Sequence, residues 1–99
     1  MVIYEVNLVI QAEIQQAYLS WLKAHIPEVL EVDGFIGARC YEVETDAAEL
    51  SLTVHYSVES REHLEAYFKE HAPKLRGDGL SRFEGKFSAE RRIYSELLG

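Results

Sequence analysis

Three side chains in two apolar stretches of this sequence are of types that move protons or hold oxygen. Glu5 and Asn7 lie in "VIYEVNLVI" (residues 2–10), and His55 lies in "LSLTVHYSV" (50–58). Side chains alternate between the two faces of an extended chain. Glu5 and Asn7 therefore share a face with Ile3 and Val9, and His55 shares one with Ser51, Thr53 and Ser57. A His beside a carboxylate in a partly enclosed space can act as a general base, since imidazole titrates near neutral pH. The competing reading, a polar network that fixes the register of two packed sheets, is the commoner use of such groups at an interface. Arg39 or Cys40, from "FIGARCYEVE" (35–44), joins the group according to which parity of that stretch faces the same way.

Two further histidines sit in a doubled phrase. "WLKAHIPEVL" begins at Trp21 and "YFKEHAPKLR" at Tyr67, 46 positions apart, with His25 and His71 matched. Each His precedes a Pro by two residues, so both read as helix-ending devices, where imidazole suits the orphan carbonyls. No H-E-x-x-H spacing supports zinc, so no metal site is expected. G-x-S-x-G, phosphate-loop, dinucleotide and EF-hand patterns are also missing. His63 reads as exposed and without a role.

The 99 residues carry a net charge of −7, which argues against a nucleic-acid partner. Residues 1–59 hold ten acids against Lys23 and Arg39, while residues 60–99 hold seven acids and eight bases. Of those bases, Lys74, Arg76, Arg82, Lys86, Arg91 and Arg92 could hold a small anion or an acidic partner surface, although a solvated face or intersubunit ion pairs are the commoner use of such charge. Cys40 is the only cysteine and reads as a small buried hydrophobe. No stretch has the roughly 18 apolar residues of a membrane span, and "MVIYEVNLVI" lacks the basic start of a signal peptide. The expectation is a cytosolic protein of one domain, residues 1–99, without a membrane partner.

These groups need elements to position them. Residues 2–10 read as a strand by β-branched and aromatic content. Ile14, Ala17, Tyr18, Trp21, Leu22 and His25 follow helical spacing, with Pro27 as the limit and "PEVLEV" able to restart one more turn from Pro27. Asp33-Gly34 marks a turn, and residues 35–44 and 50–58 read as a hairpin. Ser60 is an N-cap for a second helix bearing Leu64, Tyr67, Phe68, His71 and Leu75. "RGDGLSRFEGK" reads as a Gly-rich connection with at most one helical turn, before a last strand in residues 87–97. The order β-α-β-β-α-β is the ferredoxin-like arrangement, an α+β fold with two helices on one face of a four-stranded antiparallel sheet. The 46-residue offset runs through both halves, pairing Val6 with Leu52 and Leu22 with Phe68. It grows to about 52 at the last strand, setting Phe35 against Phe87 and Arg39 against Arg91. Helices cover one sheet face only. Ile3, Val9, Phe35 or Ile36, and Cys40 then remain on the other, an apolar patch that predicts a homodimer packed sheet to sheet.

The phrases "WLKAHIPEVL", "GFIGARCYEVE", "YSVESREHLEAYFKEHAPKLR" and "GLSRFEGKF" together resemble an uncharacterised bacterial family, a domain of unknown function placed in the dimeric α/β-barrel superfamily. The resemblance spans nearly the whole chain. It implies the ferredoxin-like protomer and the sheet-to-sheet dimer, and no activity. The wider superfamily includes antibiotic-biosynthesis monooxygenases, haem-degrading monooxygenases and lactone isomerases. Resemblance to the haem-degrading members rests on Asn7 and on an aromatic at Tyr67, where they carry Trp. His71 comes too early for their haem ligand and position 77 is Gly, so no haem or other cofactor is expected.

Two functions follow. One is a non-catalytic homodimer that binds a small molecule or a partner. The other is a cofactor-independent monooxygenase- or isomerase-like enzyme on a small hydrophobic or carbonyl substrate, in the dimer barrel or the sheet–helix cleft. His55, Asn7 and Arg39 are the candidate catalytic groups, and Glu5, Asn7, Arg39, His55, Tyr67 and Arg82 the candidate ligand-binding ones.

Overall fold

A computed structural model describes residues 1–99. Strands β1 (Val2–Ile10), β2 (Phe35–Glu42), β3 (Leu50–Val58) and β4 (Phe87–Ser95) form one antiparallel sheet in the order β2-β3-β1-β4. Helices α1 (Gln15–Leu30), α2 (Arg61–Glu70) and α3 (Ala72–Arg82) pack on one face, and the sheet does not close. This is the α+β ferredoxin-like fold. Alternation builds it: Val2, Tyr4, Leu8 and Ile10 of β1 and all five even-numbered residues of β3 are buried under the helices. Tyr18, Leu22 and Val29 of α1 and Leu64 and Tyr67 of α2 close the core from above. Fully burying each such side chain contributes about 1.5–3 kcal/mol. Ser60 caps α2 as its type predicts, its Oγ accepting from the His63 amide at 3.2 Å. No helix is long and apolar enough to cross a membrane.

Three expectations are corrected. Helix α1 does not stop at Pro27 but runs through it to Leu30. An interior Pro costs about 3 kcal/mol. Here it lies on the exposed side, and the extra turn carries Val29, 1% exposed, into the core. His25 is therefore inside a helix, and only His71 stands at a helix end. Second, the Gly-rich connection is helix: α3 spans residues 72–82 despite Gly77 and Gly79. Pro73 sits in its first turn, where no N–H is needed. Gly79 faces the Trp21 indole so closely that an added Cβ would lie 2.6 Å from a ring carbon. The fold therefore has three helices rather than two. Third, β2 contains a bulge between Phe35 and Gly37. One extra residue inverts the alternation beyond it. Phe35 is buried opposite Val58, yet Arg39 stands opposite His55 on the uncovered face. Cys40, opposite Val54, is on the helix side and partly exposed at the sheet edge, not on the uncovered face and not a buried hydrophobe.

Candidate functional site

The uncovered sheet face carries the cluster expected from the sequence. Register places Glu5 beside His55 on β3 and Arg92 on β4. The Glu5 carboxylate accepts from three groups: Asn7 Nδ2 at 2.8 Å, His55 Nε2 at 2.9 Å and the Tyr94 hydroxyl at 2.9 Å. The Asn7 hydrogen bond, aided by Tyr94 and His55, holds the Glu5 carboxyl below its usual 4.5 against partial burial. Arg39 flanks His55 from β2, and Tyr41 meets the imidazole edge-on at 5.7 Å. In the protomer this face is an open groove, in which Glu5, Asn7, His55 and Tyr94 satisfy one another while the buried Thr53 hydroxyl has no hydrogen-bond partner.

That hub makes a pH prediction. A carboxyl with a depressed folded value stabilises the fold above its unfolded value, and the contribution is lost as pH falls through the folded one. Urea midpoints measured from neutral pH downward should fall more steeply below about 4.5 for the wild type than for Glu5→Gln. Parallel curves would show that Glu5 is not coupled to folding.

The other face holds a cavity of about 280 Å³ between sheet and helices. Val6, Leu8, Val54 and Ala89 floor it, and Tyr18, Trp21 and Tyr67 wall it. The Trp21 ring is pinned by its Nε1–H donating to Asp78 Oδ2 at 2.9 Å. His25 stacks on that indole at 4.4 Å between centroids and 17° between planes. Burial pulls the His25 pKa below its usual 6.5. Arg76 and Arg91 push it the same way, and Glu28 and Asp78 oppose. Arg76 donates from Nη2 to the Tyr4 hydroxyl at 2.8 Å and lies over the Phe68 ring at 5.7 Å. Its Nε is buried with no hydrogen-bond partner. Arg91 stands opposite Val6 on the helix side of β4, at the exposed rim.

Of the six candidate residues, Glu5, Asn7, Arg39 and His55 come together on the uncovered face. Tyr67 lies across the sheet from them, in the cavity wall. Arg82 is exposed on α3 and paired with Asp78 at 3.1 Å. Sequence reasoning did not bring the cavity residues His25, Arg76 and Arg91 together: it read His25 as a helix-ending device and the two arginines only as members of a longer basic cluster. The signal was present for Arg91, which alternates in phase with Phe87 and Ala89. Asn7 and Tyr67, which carried the resemblance to haem-degrading enzymes, occupy opposite faces and do not fit one haem site. No three His, Cys, Asp or Glu side chains gather as a metal site would require.

A sequence profile described as a domain of unknown function (DUF4286) matches residues 1–97. The chain belongs to the DUF4286 family. Similar solved structures agree on the fold of this DUF4286 chain. A Deinococcus radiodurans protein, provisionally named an antibiotic biosynthesis monooxygenase, superposes with a TM-score of 0.78 at 13% identity, over 100% of this chain and 95% of its own. SnoaB, a cofactor-independent oxygenase from Streptomyces nogalater, gives 0.72 at 9% identity, over 99% and 95%. A conserved protein from Methanosarcina mazei gives 0.70 at 21%, over 98% and 94%. No curated protein matches this DUF4286 chain.

Proposed function

We propose that this protein binds a small apolar molecule in the cavity between sheet and helices, and works as a cytosolic homodimer joined through the uncovered sheet face. The cavity carries the reading. Seventeen buried residues pack around the sheet and helices, yet this volume stays unfilled and is rimmed by polar groups. A small apolar pocket with a few convergent polar groups is the usual form of a ligand site. Filling it should abolish binding: Ala89→Phe projects a ring from the floor. Native mass spectrometry of freshly purified protein should show a non-covalent adduct on the wild type and none on the variant. A wild type without adduct that also fails to bind aromatic probes would defeat the proposal.

A second reading is enzymatic and rests on His25. A neutral imidazole beside two guanidinium groups can remove a proton from carbon next to a carbonyl, and the cations can hold the enolate oxygen. Returning that proton to another carbon is isomerisation. Passing the electrons to O2 is cofactor-independent oxygenation, the activity of SnoaB on the same fold. Turnover lost in His25→Ala and kept in His55→Ala would select this reading over one centred on the sheet face.

A further inference from the structure

The cavity rests on two cations without counter-charges. Arg76 and Arg91 line it, and no Asp or Glu does. Neither guanidinium takes part in any ion pair of the chain. The acid nearest in sequence to Arg76 on α3, Asp78, is already engaged by Trp21 Nε1 and by Arg82 Nε. A protein of net charge −7 thus keeps an unpaired positive pair against its apolar cavity. Leaving a charge partly buried without a partner is costly, and that cost falls on Arg76, which is half-buried, whereas Arg91 stands exposed at the rim. Arg76 is also held in place, by Tyr4 and by the face of Phe68. The Tyr4 oxygen accepts from Arg76, so its own proton is free to donate to a ligand oxygen.

Resting on the cavity reading above, we infer that this site is an anion receptor for a ring-sized apolar molecule ending in a carboxylate. A guanidinium matches a carboxylate in two parallel hydrogen bonds. The volume agrees: a cavity of about 150 Å³ admits benzene, so about 280 Å³ holds a substituted ring or two fused ones. The ring lies against Trp21 and Tyr67 over the Val6, Leu8 and Ala89 floor, and the carboxylate lies between Arg76 and Arg91. His25, stacked on Trp21, contributes one further polar contact at the same end.

The test compares isosteric acids and amides. Benzoate and naphthoate, titrated against benzamide and naphthamide by calorimetry at neutral pH, should bind at least about tenfold more tightly, as charge-assisted hydrogen bonds require. Arg91→Gln, at an exposed rim position that leaves the core untouched, should bring acid and amide within about threefold of each other. Arg76→Gln should do the same, with thermal melts of both variants showing whether they fold. Equal binding of acid and amide to the wild type would overturn the anion receptor and leave the cavity reading standing. No binding of any of the four would overturn both. A preference that survives in both variants would place the carboxylate elsewhere and overturn the inference.

Discussion

Gly34→Ala should lower stability by about 2–5 kcal/mol. Two costs combine. Gly34 has φ +88°, in the region where a Cβ meets the backbone, worth about 1–2 kcal/mol. The new Cβ would also collide with the His63 ring. Overpacking of this kind costs about 1–3 kcal/mol when neighbours cannot move away. His63 cannot move freely. Its Nδ1 is 2.7 Å from Ser60 Oγ, the same oxygen that caps α2, and its Nε2 faces Asp33 at 3.6 Å. The Gly34 carbonyl is also tied down, accepting from the Glu59 amide at 2.8 Å. Thermal melts should drop by roughly 10 °C or more for a chain of this size. Adding His63→Ala should recover only part of the collision, because it removes the ring but keeps the Cβ of residue 63, which also lies against the new methyl. A loss under about 0.5 kcal/mol in the single variant would show that the turn relaxes and that this corner is loosely held.

Ile3→Lys should turn a dimer into a monomer. Ile3 sits on the uncovered face, between Ser57 on β3 and Tyr94 on β4. Val9, Tyr41 and Tyr94 on the same face are 42%, 47% and 42% exposed in the protomer. In a lone protomer a Lys at this position reaches water, so the fold should barely notice. In a two-fold sheet-to-sheet dimer the substitution occurs twice. At about 3 kcal/mol for each unpaired buried charge, the dimer constant should weaken by roughly 10⁴-fold. Light scattering at micromolar concentration should give twice the 11.4 kDa chain mass for the wild type and a single mass for the variant. A monomeric wild type, or a variant as dimeric as the wild type, would remove the dimer from the account.

The strands were legible in the sequence because period-two alternation is local, and it placed Glu5, Asn7 and His55 together correctly. The helix boundaries were not. Pro27, Gly77 and Gly79 are breakers by propensity, and tertiary packing overrides propensity. Val29 reaches the core only if α1 continues past Pro27. Gly79 is needed where α3 approaches Trp21. The doubled His-x-Pro phrase misled for the same reason, since its two copies end up in different settings. His25 lies inside a helix, stacked on an indole, and His71 stands exposed between two helices. The cavity was illegible because it is space left over by three elements, and no local pattern encodes it. Its two arginines were noticed only as members of a longer basic list, of which Arg82 and Lys86 are engaged by surface acids.

The bulge in β2 has a consequence for how such chains can change length. Ile36 is the spare residue: without it, Phe35 and Gly37 would alternate regularly and every later side chain would keep its face. Losing any one residue between Gly37 and Glu42 would instead invert the strand beyond it. Insertions and deletions in this hairpin should therefore gather at Ile36 among relatives. The same spare residue decides where two arginines of matched repeat position go. It sends Arg39 outward while Arg91, on an unbulged strand, turns inward. A gene that duplicated one half-fold could thus acquire two chemically distinct faces by changing the length of a single strand.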